Sequence, residues 1–364
     1  MARIIKTLAI FLLYFVTATV ESSPVTDEVI HSQSDQTEHF TNLYPDRYPQ
    51  GNFLKWQWQK LFNSQSNTTI PPTPSVSPDL TLIHHPPKDV LVTWIGHSTI
   101  LYQYDGVNFL TDPIYSDYAS PLPPLGPKRR VPPGVPFNQL PHIDVVVISH
   151  NHYDHLDLPT IRALADQTGG PPLFLVPLKV KAWMMDNVDK LNIPAYSNKV
   201  QEFKWQQSIH VQGRTKNFTL TFLPVHHWSA RSLWDRNETL WGSWAIVHPG
   251  FRFWFSGDLG YSKDTVDIGE SFKYFDLAAI DIGSYKPRWI MANYHINPSE
   301  AVKVMQDVHA KQAFGIHWGV FKLSDESYTQ APEDLNKALV DQHISQDKFI
   351  VLKVGESKIY KELN

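Results

Sequence analysis

The order of apolar and polar positions predicts strands in two separate parts of the chain. Residues 89–113 follow the two-residue period of a strand, with Asp105-Gly106 as a tight turn between apolar segments. The run from Asp144 to Ile148 is apolar enough for a fully buried strand, and a helical pattern follows it at Leu158–Gln167. The first half of the chain is therefore predicted to be a β-meander continued by alternating strands and helices.

The second half of the chain repeats this arrangement. Strands are predicted at 218–225, 275–284 and 312–318, together with a hairpin over 242–258 that turns at Pro249-Gly250. A helix is predicted after the capping signal that begins at Asn297. Because strand-rich segments alternate with helices twice, we predict an α/β fold in which two mixed β-sheets pack together with helices outside.

Composition divides the chain into three segments. Residues 86–364 carry these elements and are predicted to form one large domain. Residues 23–85 are rich in Ser and Pro and are predicted to be an arm or linker. Within that arm, Asn52–Phe62 would place most of its apolar side chains on one face of a helix, which either docks on the core or contacts a membrane interface.

Residues 1–22 have the pattern of a targeting segment. Two basic residues precede an apolar run, Thr7–Val20, which is shorter than the roughly 20 residues needed to cross a bilayer. This predicts a signal peptide cleaved after Ala18 or Ser22, rather than a signal anchor, and a secreted or lumenal, membrane-associated location in the secretory pathway. Three sequons agree with that route and are candidate glycosylation sites: Asn67, Asn217 and Asn237.

Composition also limits the classes of partner. Apolar residues make up 42% of the chain and charged residues 19%, which is an ordinary globular balance. The net charge of −4 and the lack of a basic stripe exclude nucleic acid as a partner. The one compact basic cluster, 126–130, lies in a Pro-rich loop, 114–141, that is long enough to be a functional lid. That cluster is either solvated or in contact with a phosphate or lipid headgroup.

The segment "SHNHYDHLD", residues 149–157, follows a predicted buried strand and is dense in metal-binding side chains. Alternation places His150 and His152 on the same side of the chain, where two imidazoles can hold one cation. Asp154 and His155 lie beyond the turn, which suits a second cation close by. The chain has no Cys, so any metal site must use imidazole and carboxylate ligands.

Three other predicted strands end in residues of the same kind. One leads to His226 and His227, either of which could be a ligand, and the others lead to Asp258 and His317. A carboxylate such as Asp258 can bridge two metal ions, whereas an imidazole does not readily do so. Donors that are only nitrogen and oxygen favour Zn²⁺, with Fe or Mn as alternatives. These observations predict a binuclear metal site.

These motifs resemble those of the metallo-β-lactamase superfamily, and more closely its branch of N-acyl-phosphatidylethanolamine-hydrolysing phospholipases D. The superfamily resemblance rests on HxHxDH, a later His before Trp, a Gly-Asp after a strand and a final His. The branch resemblance covers roughly residues 88–356 and rests on "VTWIGHSTI", "FLTDPIYS", "GPKRR", "VVVISHNHYDHLD", "LWGSWAIV", "SGDLGY", "FDLAAI", "YKPRWIM", "IHWG" and "VLKVGES". The resemblance implies an αββα sandwich, the metallo-β-lactamase fold, for the hydrolase domain over 86–364.

The resemblance also implies which side chains bind two Zn²⁺ ions per chain. One zinc would be bound by three histidines and the other by Asp154 and two histidines, with Asp258 as the bridge. His227 is preferred to His226 because the family's ligand immediately precedes a Trp, here Trp228; His226 is the alternative. The full ligand set implied is His150, His152, Asp154, His155, His227, Asp258 and His317.

Residues of the family's substrate pocket carry over to Tyr153, Arg231 and His295, with His295 as a candidate general acid. A purely structural role stays open for each of them. Asp281 departs from the branch, where relatives often have proline, and a role in orienting a ligand is one reading of it. The signal-like N-terminus also departs from the intracellular, membrane-associated enzymes of this branch.

The resemblance implies a zinc-dependent phospholipase D that releases N-acylethanolamine and phosphatidate from N-acyl-phosphatidylethanolamine. Asp154 and His295 are the candidate catalytic residues, and two close cations would lower the pKa of a shared water to give hydroxide. Membrane phospholipid and a membrane surface are the expected partners, with a homodimer left open. Two rival functions stay open: another hydrolase of the superfamily, such as a lactonase or a different phosphodiesterase, and a non-catalytic secreted lipid-binding protein.

Overall fold

Two β-sheets packed face to face form the centre of the protein. The structure is a computed structural model that describes residues 18–21, 39–52, 55–56, 72–188 and 196–362. Its strands are β1 Ala18–Glu21, β2 Val90–Gly96, β3 Thr99–Tyr104, β4 Val107–Thr111, β5 Val145–Val147, β6 Leu173–Pro177, β7 Val200–Phe203, β8 Ser208–Gln212, β9 Asn217–Leu223, β10 Ser243–His248, β11 Phe251–Phe255, β12 Phe275–Asp281, β13 Ala310–Ile316, β14 Phe349–Ile350 and β15 Ser357–Tyr360. Its helices are α1 Leu80–His84, α2 Leu158–Ala165, α3 Val180–Val188, α4 Asp264–Phe272, α5 Arg288–Met291, α6 Pro298–Asp307 and α7 Gln330–Asp341.

Both sheets mix antiparallel and parallel pairs, as predicted. The larger sheet has the order β1-β8-β9-β10-β11-β12-β13-β14, and the smaller one has the order β15-β2-β3-β4-β5-β6-β7. Strands β8 to β11 pair antiparallel, whereas β11 to β14 pair parallel. In the smaller sheet the predicted meander β2-β3-β4 is antiparallel, and β4 to β7 are parallel.

Both predicted hairpins are confirmed. Asp105 and Gly106 join β3 to β4 with φ angles of 48° and 79°, the left-handed region that a two-residue hairpin turn requires. Pro249 and Gly250 join β10 to β11, and the φ angle of Gly250 is 97°. In each hairpin the residues that flank the turn face each other across the two strands.

The core lies between the two sheets, and helices cover their outer faces. Trp94, Trp244 and Trp254 are fully buried. Strand β12 is buried along its whole length because it has parallel neighbours on both sides and helix α6 against it. Helices α4 and α7 pack beside α6, while α2 and α3 cover the smaller sheet. This order of layers confirms the predicted αββα sandwich.

A buried arginine braces the Pro-rich loop that follows β4. Arg129 is 8% exposed, and its Nη2 and Nε donate to the carbonyl oxygens of Ile114 and Ser116 at 2.6 and 3.1 Å. Its guanidinium also lies over the ring of Phe321. Neither a solvated loop nor a headgroup contact describes this residue, because its hydrogen bonds hold the backbone of its own loop.

The described part of the N-terminal arm packs on the domain. Most of the predicted targeting segment and most of the predicted helix over 52–62 lie outside the described residues. Trp56 of that helix is buried, and its Nε1 donates to Asp325 Oδ2 at 3.0 Å, so this part of the arm docks on the core. Strand β1 pairs antiparallel with β8 at the edge of the larger sheet.

Candidate metal centre

The predicted metal ligands meet at one edge of the sandwich. Strand β5 leads into the segment 149–157, and β9, β11 and β13 each end shortly before another predicted ligand. The carboxyl ends of neighbouring parallel strands meet at the same edge of a sheet, which is where ligands collect in α/β folds. The structure therefore brings together side chains that are far apart in the chain: His150, His152, Asp154, His155, His227, Asp258 and His317.

Three histidines form the first group of ligand atoms. His150, His152 and His227 offer ring nitrogens that all lie within 4.8 Å of one another, and His150 Nε2 lies 2.8 Å from His152 Nδ1. Burial lowers the pKa of all three, to about 3 for His152. At neutral pH these rings are therefore uncharged, which is the form that binds a metal ion.

Hydrogen bonds behind two of these rings fix which nitrogen faces the group. Ser149 Oγ donates to Asp112 Oδ2 at 2.5 Å, so it accepts from His150 Nδ1–H at 2.8 Å. His227 Nδ1–H donates to the carbonyl oxygen of Tyr294 at 3.0 Å. In both rings the lone pair is therefore on Nε2. This arrangement orients metal-ligating histidines in general.

The second group combines histidines with carboxylates. His155 Nε2 and His317 Nε2 each lie 3.4 Å from Asp154 Oδ2 and 3.1 Å from Asp258 Oδ2. Asp258 Oδ2 also lies 3.8 Å from His150 Nε2 of the first group. Asp258 therefore lies between the two groups, which is the position of a bridging carboxylate.

The charges of the second group suit a cation. Burial raises the pKa of Asp154 and Asp258, but the neighbouring imidazole of His155 outweighs it, and both carboxyl groups have a pKa well below their usual range. Burial lowers the pKa of His155, but the same two carboxylates hold it well above its ordinary value. Two ionised carboxylates in a buried cluster require a compensating positive charge, which the protonated ring of His155 supplies here and which a bound metal ion would supply in its place.

Buried atoms without hydrogen-bond partners support the same conclusion. Among the described residues, His152 Nε2, His227 Nε2 and Asp258 Oδ1 are buried and accept or donate no hydrogen bond. Leaving such an atom unsatisfied costs about 1–3 kcal/mol. Since the three atoms belong to the two ligand groups, bound metal ions would supply the missing partners. The donor set of imidazole and carboxylate fits that role.

Asp112 supports both ligand groups from behind, and no pattern in the sequence singled it out. It is fully buried directly after β4, and its Oδ2 accepts from His155 Nδ1–H at 2.7 Å. Its Oδ1 accepts from the backbone N–H of Ser149 at 2.7 Å. Its place at a strand end on the same edge is the signal that could have identified it.

Asp112→Asn is expected to weaken metal binding about 10–100-fold, because the carboxylate that orients His155 is replaced by a neutral amide. Competition between the metal-free variant and a chromophoric chelator measures this. Asp117→Asn is the matched control, since Asp117 is an exposed aspartate of the next loop and should leave metal affinity unchanged. Equal affinity in the two variants would contradict the role of Asp112.

His97 is a further histidine of the site that the sequence pattern did not identify. Directly after β2, its Nε2 lies 3.0 Å from Asp154 Oδ2, and its ring lies 4.2 Å from that of His317. Burial lowers the pKa of His97 to about 3, so the neutral ring donates Nε2–H to Asp154. Its carbonyl oxygen accepts from the backbone N–H of His317, which links two strand ends of the site.

The N-terminal arm distinguishes the two adjacent histidines after β9. Asn42 Oδ1 accepts from the backbone N–H of His227, and Asn42 Nδ2 donates to the His227 carbonyl oxygen, both at 3.0 Å. His226 turns the other way, and its Nε2 lies 2.9 Å from Asp46 Oδ1. The structure therefore places His227 in the first ligand group and commits His226 to the arm.

Tyr153 and Arg231 hold the ligand loop. Arg231 Nη1 donates to the carbonyl oxygens of Asn151 and Leu156 at 2.7 and 2.9 Å, and its guanidinium lies between the rings of Tyr153 and Trp183. Tyr153 Oη donates to the Arg231 carbonyl oxygen at 2.8 Å. These contacts give both residues a structural role around His150–His155, and their predicted contact with substrate stays a prediction.

His295 lies beside both ligand groups and is oriented by Asp281. The ring of His295 is 5.4 Å from that of His227 and 5.3 Å from that of His317. Its Nδ1 lies 3.2 Å from Asp281 Oδ2, and Asp281 Oδ1 lies 3.4 Å from His317 Nδ1. Asp281, the residue at which the sequence departs from the branch, is fully buried. Its carboxylate contacts two histidines of the site.

The fold agrees with what similar proteins show. A β-lactamase superfamily domain matches residues 107–318. The solved structure of a metallo hydrolase from the archaeon Ignicoccus hospitalis superposes with a TM-score of 0.52 at 16% identity, over 75% of this chain and 98% of that one, which shows a shared fold. The protein is a metal-dependent hydrolase.

Relatives of similar sequence show to which branch of the superfamily the chain belongs. A phospholipase D from Caenorhabditis elegans described as hydrolysing N-acyl-phosphatidylethanolamine is 39% identical over 75% of this chain and 76% of its own length. A mitochondrial protein of the same description from Saccharomyces cerevisiae is 37% identical over 74% of this chain and 55% of its own length. The chain belongs to the metallo-β-lactamase superfamily, in its branch of N-acyl-phosphatidylethanolamine-hydrolysing phospholipases D.

The predicted secretory location is wrong. The yeast relative is described as mitochondrial, and a relative 37% identical over 79% of this chain and 74% of its own length comes from the bacterium Mycobacterium bovis. Residues 18–21, at the end of the apolar run, form a strand that pairs with β8, and the rest of that run lies outside the described residues. Among the residues described, no helix has the length and apolar character to cross a membrane.

The candidate glycosylation sites were predicted for that secretory route. Asn67 lies outside the described residues, and Asn217 is exposed at the start of β9. Asn237 Oδ1 accepts from the backbone N–H of Ser229 at 3.3 Å. Glycosylation stays a prediction at all three positions, although the secretory location on which it was based is contradicted.

Proposed function

We propose that this protein is a zinc-dependent phospholipase D that hydrolyses N-acyl-phosphatidylethanolamine to N-acylethanolamine and phosphatidate. The observation that carries the proposal is the pair of ligand groups joined by Asp258 in a chain 39% identical to a relative described as catalysing this hydrolysis. Imidazole and carboxylate donors in groups of this size favour zinc.

Two zinc ions would supply a water of lowered pKa as nucleophile and neutralise charge on the phosphodiester oxygens. His150, His152 and His227 would hold one ion, and Asp154, His155 and His317 the other. Asp258 would bridge them. The chain itself contributes fixed geometry, because Asp112 and the Tyr294 carbonyl hold the ligand rings in the orientation that binding requires.

His295 is the residue we propose as general acid. The P–O bond to the ethanolamine oxygen breaks as water attacks phosphorus, and that oxygen must gain a proton to leave as an alcohol. Because His295 Nδ1 faces Asp281, its Nε2 is the nitrogen free to carry the proton to the leaving oxygen. Its ring lies beside both ligand groups, within reach of a phosphodiester bound between them.

Asp281→Asn is expected to lower kcat about 10–100-fold while KM stays near wild type, because Asp281 positions His295 rather than touching substrate; metal content is measured on the same samples, since Asp281 also contacts the ligand His317. Steady-state kinetics in the wild-type and His295→Gln backgrounds measure this. If Asp281 acts through His295, its substitution has a much smaller effect once His295 is replaced. Equal effects in the two backgrounds would contradict the positioning role.

The proposed function is tested by product analysis on defined lipids. Purified, zinc-loaded protein is incubated with N-acyl-phosphatidylethanolamine, phosphatidylethanolamine, phosphatidylcholine and an N-acyl homoserine lactone, and the products are identified by mass spectrometry. We expect N-acylethanolamine and phosphatidate from the first lipid, and none with Asp154→Asn. Opening of the lactone or cleavage of the other lipids would favour a different hydrolase. Recovery of all substrates unchanged would favour a lipid-binding protein.

A further inference from the structure

The loop between β9 and β10 holds two adjacent apolar side chains in solvent. Leu233 is 87% exposed and Trp234 is 83% exposed, more than any other large hydrophobic residue of the described chain. An isolated exposed leucine needs no explanation, but a neighbouring leucine and tryptophan at one tip form an apolar patch. We call these two residues the apolar tip.

Hydrogen bonds keep the apolar tip in a defined turn. Asp235 Oδ1 accepts from the backbone N–H groups of Ser232 and Arg231 at 2.7 and 3.0 Å. Ser232 Oγ accepts from the backbone N–H of Trp234 at 3.1 Å. The turn therefore presents Leu233 and Trp234 outward on a fixed backbone.

The apolar tip stands next to the metal centre. Its loop begins just after His227, and Arg231 of the same loop donates to the carbonyl oxygens of Asn151 and Leu156 in the ligand loop. The two loops, together with Trp183 of α3, also line one cavity of about 590 Å³. Whatever binds the apolar tip is consequently held beside the site.

The size and chemistry of the apolar tip favour a lipid surface over a protein. A stable protein interface buries about 800 Å² on each partner, which is far more than two side chains provide. Tryptophan, with an apolar ring and one N–H donor, is enriched where a membrane meets water. We propose that Leu233 and Trp234 insert into the interface of a phospholipid bilayer and dock the site on its substrate, an inference that rests on the proposed function.

Vesicle binding by the full-length protein tests the docking proposal. The vesicles contain phosphatidylcholine and phosphatidylethanolamine only, so that binding is measured without turnover, and bound protein is sedimented. We expect the double variant Leu233→Ser/Trp234→Ser to lower the partition coefficient roughly tenfold or more, because both apolar side chains are removed. Val340→Ser is the matched control, since Val340 is 60% exposed on α7 and should bind as wild type.

A fluorescence measurement keeps the test independent of folding in the double variant. The chain has 12 Trp, so the contribution of Trp234 is the difference in emission between wild type and Trp234→Phe. With brominated acyl chains in the vesicles, we expect that difference signal to be quenched. Unfolding midpoint and metal content should be the same in all variants.

Each remaining outcome decides between the proposals. Wild-type protein that does not bind vesicles, or a double variant that binds equally well, would overturn the docking role. So would a wild-type dimer that the double variant converts to a monomer, because a second copy would then occupy the tip. Docking without hydrolysis of N-acyl-phosphatidylethanolamine would refute only the phospholipase proposal, and hydrolysis of dispersed substrate without docking would refute only the docking.

Discussion

Asp154→Asn is expected to abolish turnover almost completely while the protein remains folded. Asp154 Oδ2 lies 3.0 Å from His97 Nε2 and 3.4 Å from the Nε2 atoms of His155 and His317, so three histidines converge on this one oxygen. The amide keeps the size of the side chain but removes its charge and one acceptor. A loss of about 4 kcal/mol of transition-state stabilisation corresponds to about a 10³-fold lower kcat/KM.

The measurement is kcat/KM together with metal content and a thermal unfolding curve. Asp166→Asn is the matched control, because Asp166 is exposed at the end of α2 and its removal leaves the cluster intact. Full activity in Asp154→Asn would show that the cluster does not act through metal. An unfolded Asp154→Asn variant would show instead that the residue is structural, which a normal unfolding curve excludes.

His227→Ala and His226→Ala are expected to differ sharply although the two residues are adjacent. His227 Nε2 is a buried lone pair in the first ligand group, so its loss should remove one metal ion and lower activity about 10³-fold. His226 contacts Asp46, whose side chain is 30% exposed. His226 belongs to neither ligand group, so its loss should leave the metal ions in place.

Metal analysis of the two variants, with activity measured on the same samples, tests this difference. We expect one metal ion fewer in His227→Ala and the wild-type number in His226→Ala. The reverse pattern would mean that the arm contact through Asn42 has been assigned to the wrong histidine. Loss of metal in both would indicate that the whole turn after β9 collapses.

The side chains of the candidate metal centre could be predicted because each follows a strand whose pattern is visible in the chain. His150 and His152 follow a short apolar run, and Asp258 and His317 follow others, so alternation and strand ends were sufficient. The sandwich followed from the same alternation of strands and helices. His226 and His227 could not be separated by spacing alone, since adjacent positions at a strand end are equivalent until the arm packs against one of them.

The residues behind the ligands could not be predicted in this way. Asp112, His97 and Asn42 act through contacts with chain segments far away in sequence, and such contacts depend on how the two sheets and the arm pack. Arg231 also makes contacts that the sequence did not predict, because its guanidinium donates to two backbone carbonyls of the ligand loop. Its contact with substrate, which the family resemblance implies, stays a prediction.

The most direct test of the account is the turnover of N-acyl-phosphatidylethanolamine by metal-depleted protein as zinc is added back. With the two ligand groups described, we predict no N-acylethanolamine release without metal and a plateau at two zinc ions per chain. Undiminished release from the depleted protein, or no release at any zinc concentration, would contradict a zinc-dependent phospholipase D at this site.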